Sequence, residues 1–313
     1  MAGCSQLWTG DVGFATAGTR SYTMFSRPPS KLGAMDLETL LKPGPTRVMG
    51  ILNVTTDSFA ENRRRSLTQA IEHGIELAGE GADIVDVGGE STRPGAERVS
   101  EAEETARVVP VVKALAGSGI PVSVDTVRAG VARRALRAGA LIVNDVSGGL
   151  ADPEILGAVA EAGAGLVLQH WRTPFDHRCT HRHVVDEVCS ELAQRLALAL
   201  DAGVEPGAII LDPGIGFGKT PSQNWELLGS ASAVADLGYP VLWGVSRKRF
   251  LAEAYDRVTE PWQRDGATIA VTTLLAQRQV WAVRTHTVAD QRAAVAVAEA
   301  VRRAGQERND DND

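Results

Sequence analysis

Residues 47–54 read RVMGILNV, an almost uninterrupted apolar run that ends close to a polar residue, Asn53. Seven further runs of this type follow, and a helix-length stretch separates each run from the next, which is the pattern of repeated strand–helix units. Because strands that are apolar along their whole length are buried on both faces, we predict a parallel sheet covered by helices. The eight predicted strands span residues 47–54, 82–89, 121–126, 141–147, 165–170, 208–214, 240–246 and 280–286.

The stretches between these strands carry helical patterns, and several of them end at a glycine, as helix C-caps commonly do. Eight strand–helix units in one chain predict an α/β fold of the (β/α)₈ TIM-barrel type, with an open doubly wound sheet as the alternative. The predicted helices span residues 67–80, 101–116, 128–137, 153–162, 184–202, 224–237, 266–278 and 288–303.

The chain is predicted to form a single domain with an extension at each end. Residues 1–44 are rich in Gly, Ser, Thr and Pro without a period, which predicts a flexible N-terminal extension. Residues 45–303 form the predicted barrel domain. Residues 304–313 are a predicted polar C-terminal tail, because they have no apolar face to bury.

Composition narrows the class of protein. A net charge of −7 argues against binding to nucleic acid, which depends on many basic side chains. The three cysteines do not resemble a secreted disulfide framework, so a cytoplasmic location is predicted. Apolar runs stay well short of the roughly 18 residues needed to cross a bilayer, and a membrane association is therefore not expected.

Polar side chains occur where each predicted strand ends. In a barrel these ends meet at one mouth, which predicts a single active site there. The alternative for any one of these residues is that it caps a helix or shapes a turn, but the feature recurs on all eight strands. The residues are Asn53, Asp86, Asp125, Asn144, Asp145, His170, Asp212, Ser246, Arg247, Lys248, Arg284 and His286.

These residues divide into two kinds of chemistry. Asp125, Asn144, Asp212 and Lys248 are suited to the polar edge of a flat heterocycle deep in the barrel. Basic and amide side chains on other strands are suited to binding a phosphate group nearer the mouth. The inventory therefore predicts a phosphorylated heterocyclic substrate. The phosphate-binding set is Asn53, Arg93, Arg284 and His286.

An ordered set of motifs resembles the dihydropteroate synthase family of pterin-binding enzymes, over residues 47 to about 301. The resemblance implies a TIM barrel, usually a homodimer, that joins 6-hydroxymethyl-7,8-dihydropterin pyrophosphate to p-aminobenzoate in folate biosynthesis and uses Mg²⁺. The motifs are GILNVT (50–55), DSF (57–59), GADIVDVGGESTRPGA (81–96), SVDT (123–126), NDVSGG (144–149), ILDPGIGFGK (210–219), GVSRKRFL (244–251) and the pair Arg284 and His286.

The resemblance also implies the role of each site residue. Arg284, His286, Lys248 and Asp125 are the implied catalytic set. The pterin would contact Asp125, Asn144, Asp212 and Lys248, and the pyrophosphate would contact Asn53, Arg93, Arg284 and His286, with help from Thr92. The p-aminobenzoate would lie between Phe59, Pro94 and Phe217, with its carboxylate near Ser246 and Arg247. Mg²⁺ would bind Asn53 and Glu61, since that ion prefers oxygen ligands.

Two alternatives follow from departures in the sequence. The first loop reads TTDSFAENR (55–63), whereas relatives commonly have two glycines here, so a paralogue with weak or no synthase activity is one alternative. A pterin-dependent methyltransferase is the other.

Two further motifs do not fit the sites that they resemble. GIGFGKT (214–220) lacks the spacing of an ATP-binding loop, and HRCTHRH (177–183) lacks the CxxC pattern of a structural zinc site.

Overall fold

A computed structural model describes residues 36–54, 63–91, 98–176, 178, 180–254 and 260–310, although not the side chains of residues 63–65 and 307–310. The described part contains eight strands that pair in parallel in the order β6-β5-β4-β3-β2-β1-β8-β7. An isolated parallel bridge between Leu211 and Val241 joins the two ends of this order, so the sheet curves into a barrel. The strands are β1 (Arg47–Asn53), β2 (Ile84–Gly88), β3 (Val122–Asp125), β4 (Ile142–Asp145), β5 (Gly165–Gln169), β6 (Ile209–Asp212), β7 (Leu242–Trp243) and β8 (Ala282–Thr285).

Helices cover the outside of the barrel between consecutive strands. Helix α5 (Glu154–Ala162) is followed by Gly163, whose φ of 60° is the left-handed C-cap conformation expected from the sequence. The single helix predicted for residues 224–237 is wrong, because the chain breaks at Ser230 into two helices. The helices are α1 (Leu37–Leu41), α2 (Arg63–Gly79), α3 (Glu101–Gly117), α4 (Ala129–Arg137), α5 (Glu154–Ala162), α6 (Val184–Asp201), α7 (Pro221–Gly229), α8 (Ala231–Ala235), α9 (Asp265–Gln277) and α10 (Val288–Asp310).

The strands bury both faces, as their apolar sequences predict. Alternate residues of each strand point to opposite sides of the sheet, so one set packs beneath the helices and the other fills the barrel. The interior set contributes one side chain from each of seven strands: Met49, Ile84, Ile142, Val167, Ile210, Leu242 and Ala282. The (β/α)₈ TIM-barrel prediction is confirmed, and the doubly wound alternative is excluded by the closure of the sheet.

The end of the predicted N-terminal extension belongs to the fold. Asp36 caps α1 by accepting a hydrogen bond from the Thr39 backbone N–H at 2.8 Å. Leu40 is only 1% exposed and packs with the interior set, and its carbonyl accepts a hydrogen bond from Trp281 Nε1 at 3.1 Å. The boundary predicted at residue 44 is therefore too late. Residues 1–35 lie outside the described residues.

The other end of the chain also differs from the prediction. The polar segment predicted as a tail from residue 304 continues α10 as far as Asp310. Within the described residues, none of the helices has the length and apolar character that a membrane span requires.

Candidate active site

Parallel pairing aligns the polar residues that end the strands. The register places Asn53 beside Gly88, Gly88 beside Asp125 and Asp125 beside Asn144. On the other side of the barrel Gln169 lies beside Asp212. Because all eight strands run in the same direction, these residues share the rim at the carboxyl ends of the strands, where barrel enzymes hold their substrates.

The first cluster of the site joins three strands through one buried carboxylate. The Oδ2 atom of Asp86 accepts hydrogen bonds from Arg284 Nε at 2.6 Å and from Asn144 Nδ2 at 3.0 Å. The same guanidinium donates from Nη2 to Asp125 Oδ2 at 2.8 Å. Arg284, which the sequence predicted nearer the mouth, therefore contacts Asp125 of the predicted deep set and also Asp86.

The charges of this cluster are strongly perturbed. Burial raises the pKa of Asp125 to about 7, an effect that the Arg284 charge opposes and the Asp86 charge reinforces. Within the described residues, two buried oxygens of the cluster, Asp86 Oδ1 and Asn144 Oδ1, have no hydrogen-bond partner. Unpaired buried acceptors are costly, so these oxygens are suited to receive donors from a bound molecule.

A second cluster surrounds Lys248. Its Nζ donates a short hydrogen bond to the Ile215 carbonyl and lies 4.7 Å from the centroid of the Phe217 ring. Burial lowers the pKa of Lys248 to about 8, although the charge of Asp212 opposes this shift. Burial in turn raises the pKa of Asp212, against the charge of Lys248 and a hydrogen bond from Gly214 N–H at 2.7 Å. The site thus offers a carboxylate and an ammonium that lie close enough for each charge to act on the pKa of the other.

A third contact joins Ser246 and His286. Ser246 Oγ lies 2.9 Å from His286 Nδ1 and accepts a hydrogen bond from the His286 backbone N–H at 3.2 Å. The guanidinium of Arg247, however, forms a bidentate ion pair with Asp265 at 2.7 and 2.8 Å. Arg247 therefore presents its side chain to α9, and its backbone N–H and carbonyl are paired with Thr268 Oγ1 at 3.3 Å and Arg264 Nη1 at 2.8 Å.

Several predicted residues lie outside the described residues: Phe59, Glu61, Thr92, Arg93 and Pro94. Of the predicted Mg²⁺ ligands, Asn53 is described, and it is exposed at the end of β1. Its amide oxygen is a hard donor that fits Mg²⁺. Among the described residues there is no group of three or more His, Cys, Asp or Glu side chains that could hold a metal ion. A Mg²⁺ ion bound at Asn53 would therefore need its other ligands from Glu61 and from oxygens of the bound substrate.

Two features of the site were missed by the sequence analysis. The sequence predicts Asp86 only as one of the polar residues at the strand ends, but it holds Arg284 and Asn144 together. Lys219 lies within two of the quoted motifs and received no predicted role, but it is buried beside the Lys248 cluster. A lysine inside an apolar, glycine-rich run was the available signal, since such a lysine is buried only where acceptors surround it.

Comparisons with known proteins show the family to which this chain is related. Residues 49–286 match the model of a family described as pterin binding enzyme. The dihydropteroate synthase of Mycobacterium leprae (strain TN) is 49% identical over 253 residues, which cover 78% of this chain and 89% of that protein.

Solved structures of dihydropteroate synthase from Xanthomonas albilineans are also similar. The structure with 4-aminobenzoic acid has a TM-score of 0.77 and 42% identity, covering 82% of this chain and 93% of the other. The complex with 7,8-dihydropteroate has a TM-score of 0.73 and 40% identity, covering 82% and 94%. The chain therefore belongs to the dihydropteroate synthase family of pterin-binding enzymes.

Proposed function

We propose that this chain is a dihydropteroate synthase, a transferase that forms the C–N bond between 6-hydroxymethyl-7,8-dihydropterin pyrophosphate and p-aminobenzoate. The products are 7,8-dihydropteroate and pyrophosphate. The observation that carries the proposal is the set of two acids, an amide and a lysine at the strand ends. These four residues are Asp125, Asn144, Asp212 and Lys248. The dihydropteroate synthases that resemble this chain match it over most of its length and most of their own.

The pterin is proposed to bind where buried polar atoms lack partners. Its ring nitrogens and amino group would donate to Asp125, Asp212 and the unpaired Asn144 Oδ1, and Lys248 would donate to a ring acceptor. An unsatisfied buried acceptor costs about 1–3 kcal/mol. Pairing each one with a pterin donor would recover that free energy, which makes the site selective for a heterocycle with matching N–H groups.

The leaving group is proposed to be stabilised by cations. As the C–O bond to pyrophosphate breaks, the methylene carbon becomes electron-deficient and the pterin ring delocalises the positive charge. Arg284, His286 and Arg93 would bind the departing pyrophosphate, which requires Arg284 to turn away from Asp125. Mg²⁺ held by Asn53 and Glu61 would supply further neutralisation of the pyrophosphate charge.

The p-aminobenzoate is proposed to pack against Phe217, with Phe59 and Pro94 completing the wall. Its carboxylate would accept hydrogen bonds from Ser246 and the neighbouring backbone, because the Arg247 side chain is paired with Asp265. The amine would then face the methylene carbon of the pterin. Thr92 would position the pyrophosphate through its hydroxyl.

A homodimer is proposed on the basis of an exposed apolar surface on α9 and α10. Three large side chains there are exposed: Leu274 at 60%, Val297 at 57% and Val301 at 56%. Neighbouring exposed apolar residues are typical of an interface between subunits. Sedimentation of the purified protein and of a Val297→Glu variant tests this assignment, with a monomeric variant expected. A cytoplasmic location is proposed because the cysteine content fits a reducing compartment.

The proposed activity is tested by supplying purified protein with both substrates and Mg²⁺ and separating the products chromatographically. Dihydropteroate should form with the wild type and with the surface control Lys113→Met, and it should fall sharply with Lys248→Met. Binding of the pterin without product would indicate a non-synthesising paralogue. Methyl transfer to a corrinoid protein would indicate the methyltransferase instead.

A further inference from the structure

The loop between β6 and α7 joins the two halves of the proposed substrate site. At its start, Gly214 N–H donates to Asp212 Oδ1 at 2.7 Å, and Gly216 N–H donates to Asn224 Oδ1 at 2.7 Å. The Ile215 carbonyl accepts from Lys248. Phe217 follows, so the position of its ring depends on the path of this loop.

Lys219 binds the same loop from the other side. Its Nζ donates to the Gly214 carbonyl at 2.9 Å, to the Phe217 carbonyl at 3.1 Å and to His170 Nδ1 at 3.0 Å. Burial lowers the pKa of Lys219 to about 7, and in its protonated form the ammonium has three donors, all of which are used here. The residue is only 6% exposed, so water cannot readily replace these bonds.

The third acceptor of Lys219 is itself fixed. His170 is fully buried, and its Nε2 lies 3.0 Å from Glu191 Oε2. Glu191 is also hydrogen-bonded to Arg172, and although burial raises its pKa, the bonds from His170 and Arg172 lower it to about 2. An ionised Glu191 requires the proton of His170 on Nε2, which leaves Nδ1 as the acceptor for Lys219.

The ring that the loop carries faces the proposed substrate site. Phe217 lies edge-to-face with Trp171, with ring centroids 4.9 Å apart, and Lys248 Nζ lies 4.7 Å from the Phe217 ring centroid. A change in the loop at Phe217 would therefore move the proposed aminobenzoate wall. Two of the four proposed pterin residues, Asp125 and Asn144, belong to β3 and β4 and are held by a separate cluster. The other two, Asp212 and Lys248, form hydrogen bonds with this loop at Gly214 and Ile215.

We propose that Lys219 is a positioning residue for the second substrate: its ammonium fixes the Gly214 and Phe217 carbonyls and thereby the Phe217 ring, and Glu191 and His170 hold the ammonium in place. This inference rests on the proposed synthase function for the identity of the substrate. It assigns a buried lysine chiefly to the binding of p-aminobenzoate, because Phe217 is the loop residue proposed to contact that substrate.

Steady-state kinetics with each substrate varied separately test the assignment. A charge-assisted hydrogen bond contributes about 1.5–3 kcal/mol, so Lys219→Met should raise the KM for p-aminobenzoate about 10-fold or more. The KM for the pterin pyrophosphate should rise by a clearly smaller factor, because Asp125 and Asn144 keep their own cluster and only Asp212 and Lys248 contact the loop. Lys113→Met, on an exposed face of α3, is the matched control.

A pair of variants at His170 separates the hydrogen bond from simple packing. Asparagine and leucine have nearly the same size, but only the asparagine oxygen can accept from Lys219. His170→Asn should therefore keep a KM for p-aminobenzoate close to that of the wild type, and His170→Leu should raise it as Lys219→Met does. If Lys219→Met does not fold, the His170 pair decides the matter.

The position of the ring is read independently of activity by fluorine NMR of protein that contains 4-fluorophenylalanine, with the Phe217 signal assigned from Phe217→Leu. That signal should shift in Lys219→Met and His170→Leu and stay in place in His170→Asn. An equal rise of both KM values, identical behaviour of the two His170 variants, or an unmoved Phe217 signal in Lys219→Met would overturn the inference. A wild type that makes no dihydropteroate would overturn the proposed function, whereas the fluorine signal would still test the positioning.

Discussion

Arg284→Met is expected to weaken binding of the pterin as well as of pyrophosphate. The guanidinium lies between two buried acids, at 2.6 Å from Asp86 and 2.8 Å from Asp125. Without it the two carboxylates lose the cation that pairs with both of them. The pKa of Asp125, which burial already raises to about 7, should then rise further, because the Arg284 charge is what opposes that shift.

The size of the effect follows from the protonation of Asp125. A hydrogen bond to a charged group contributes about 1.5–3 kcal/mol, against about 0.5–1.5 kcal/mol for a neutral pair. Protonating Asp125 at neutral pH therefore costs the pterin about 1–2 kcal/mol, or roughly 5–30-fold in affinity. Loss of one member of a buried ion pair also costs about 3–5 kcal/mol of folding stability, so folding must be checked by circular dichroism.

The assay is calorimetric titration with 6-hydroxymethyl-7,8-dihydropterin, which carries no pyrophosphate and so reports on the pterin site alone. Wild-type affinity should fall as the pH drops below about 7, where Asp125 takes up a proton. In Arg284→Met the same fall should begin at a higher pH. The control is Arg133→Met, on the outer helix α4. Equal affinity of Arg284→Met and wild type at pH 7.5, with the same pH profile, would refute the reasoning.

Three other perturbations test separate parts of the molecule. Leu40→Ala should lower the free energy of unfolding in urea by about 2–5 kcal/mol, since Leu40 packs against the interior set. An unchanged urea midpoint would contradict the packing of α1 against the barrel. Burial lowers the pKa of His170 to about 3, whereas the pKa of a histidine in the unfolded chain is about 6.5. The neutral buried imidazole therefore contributes its full stability above pH 6.5, and this contribution should fall as the pH drops towards 3, by about 2 kcal/mol at pH 5. His170→Asn should lack that component when urea unfolding is compared at pH 7 and pH 5, and an identical acid response would contradict it. Lys248→Met should raise the KM for the pterin pyrophosphate about 10-fold or more, because Asp212 loses its neighbouring cation, and an unchanged KM would remove Lys248 from the pterin site.

The sequence predicted the barrel because its signal is physical and repeated. A parallel strand that is buried on both faces must be apolar along its length, and this requirement produced eight recognisable runs. The predicted ends extend past the observed ones, as in 240–246 against Leu242–Trp243. Where a run continues past its strand, as at Ser246 after β7, the last residues lie in a rim loop where ladder hydrogen bonds have stopped, and a one-dimensional pattern does not locate that point.

Helix α1 could not be predicted from local pattern. A five-residue helix has too few turns to show a period, and isolated helices of that length are unstable in water. Its stability comes from tertiary contacts, through the burial of Leu40 and the hydrogen bond from Trp281, a residue 241 positions away. Residues 36–44 were therefore assigned to the flexible extension, because the composition of residues 1–44 as a whole is typical of one.

The site residues were predictable by type but not by arrangement. The sequence separated heterocycle-binding residues from phosphate-binding residues, and Arg284 was assigned to the second group. The fold instead directs its guanidinium onto Asp86 and Asp125, because a buried pair of carboxylates requires a cation and Arg284 is the one that β8 places opposite them. Which partner a long basic side chain selects depends on the charges that surround it in three dimensions.

Asp86 makes the two halves of the site one unit. A single oxygen of this carboxylate binds both Arg284 and Asn144, so a movement of the guanidinium towards pyrophosphate would change the environment of the amide proposed to face the pterin. The same movement would remove from Asp125 the cation that opposes the rise of its pKa. In the proposed complex, binding of the pyrophosphate and recognition of the ring would therefore be coupled through one buried carboxylate, and the energetic effects of changes at Arg284 and Asn144 should not be additive.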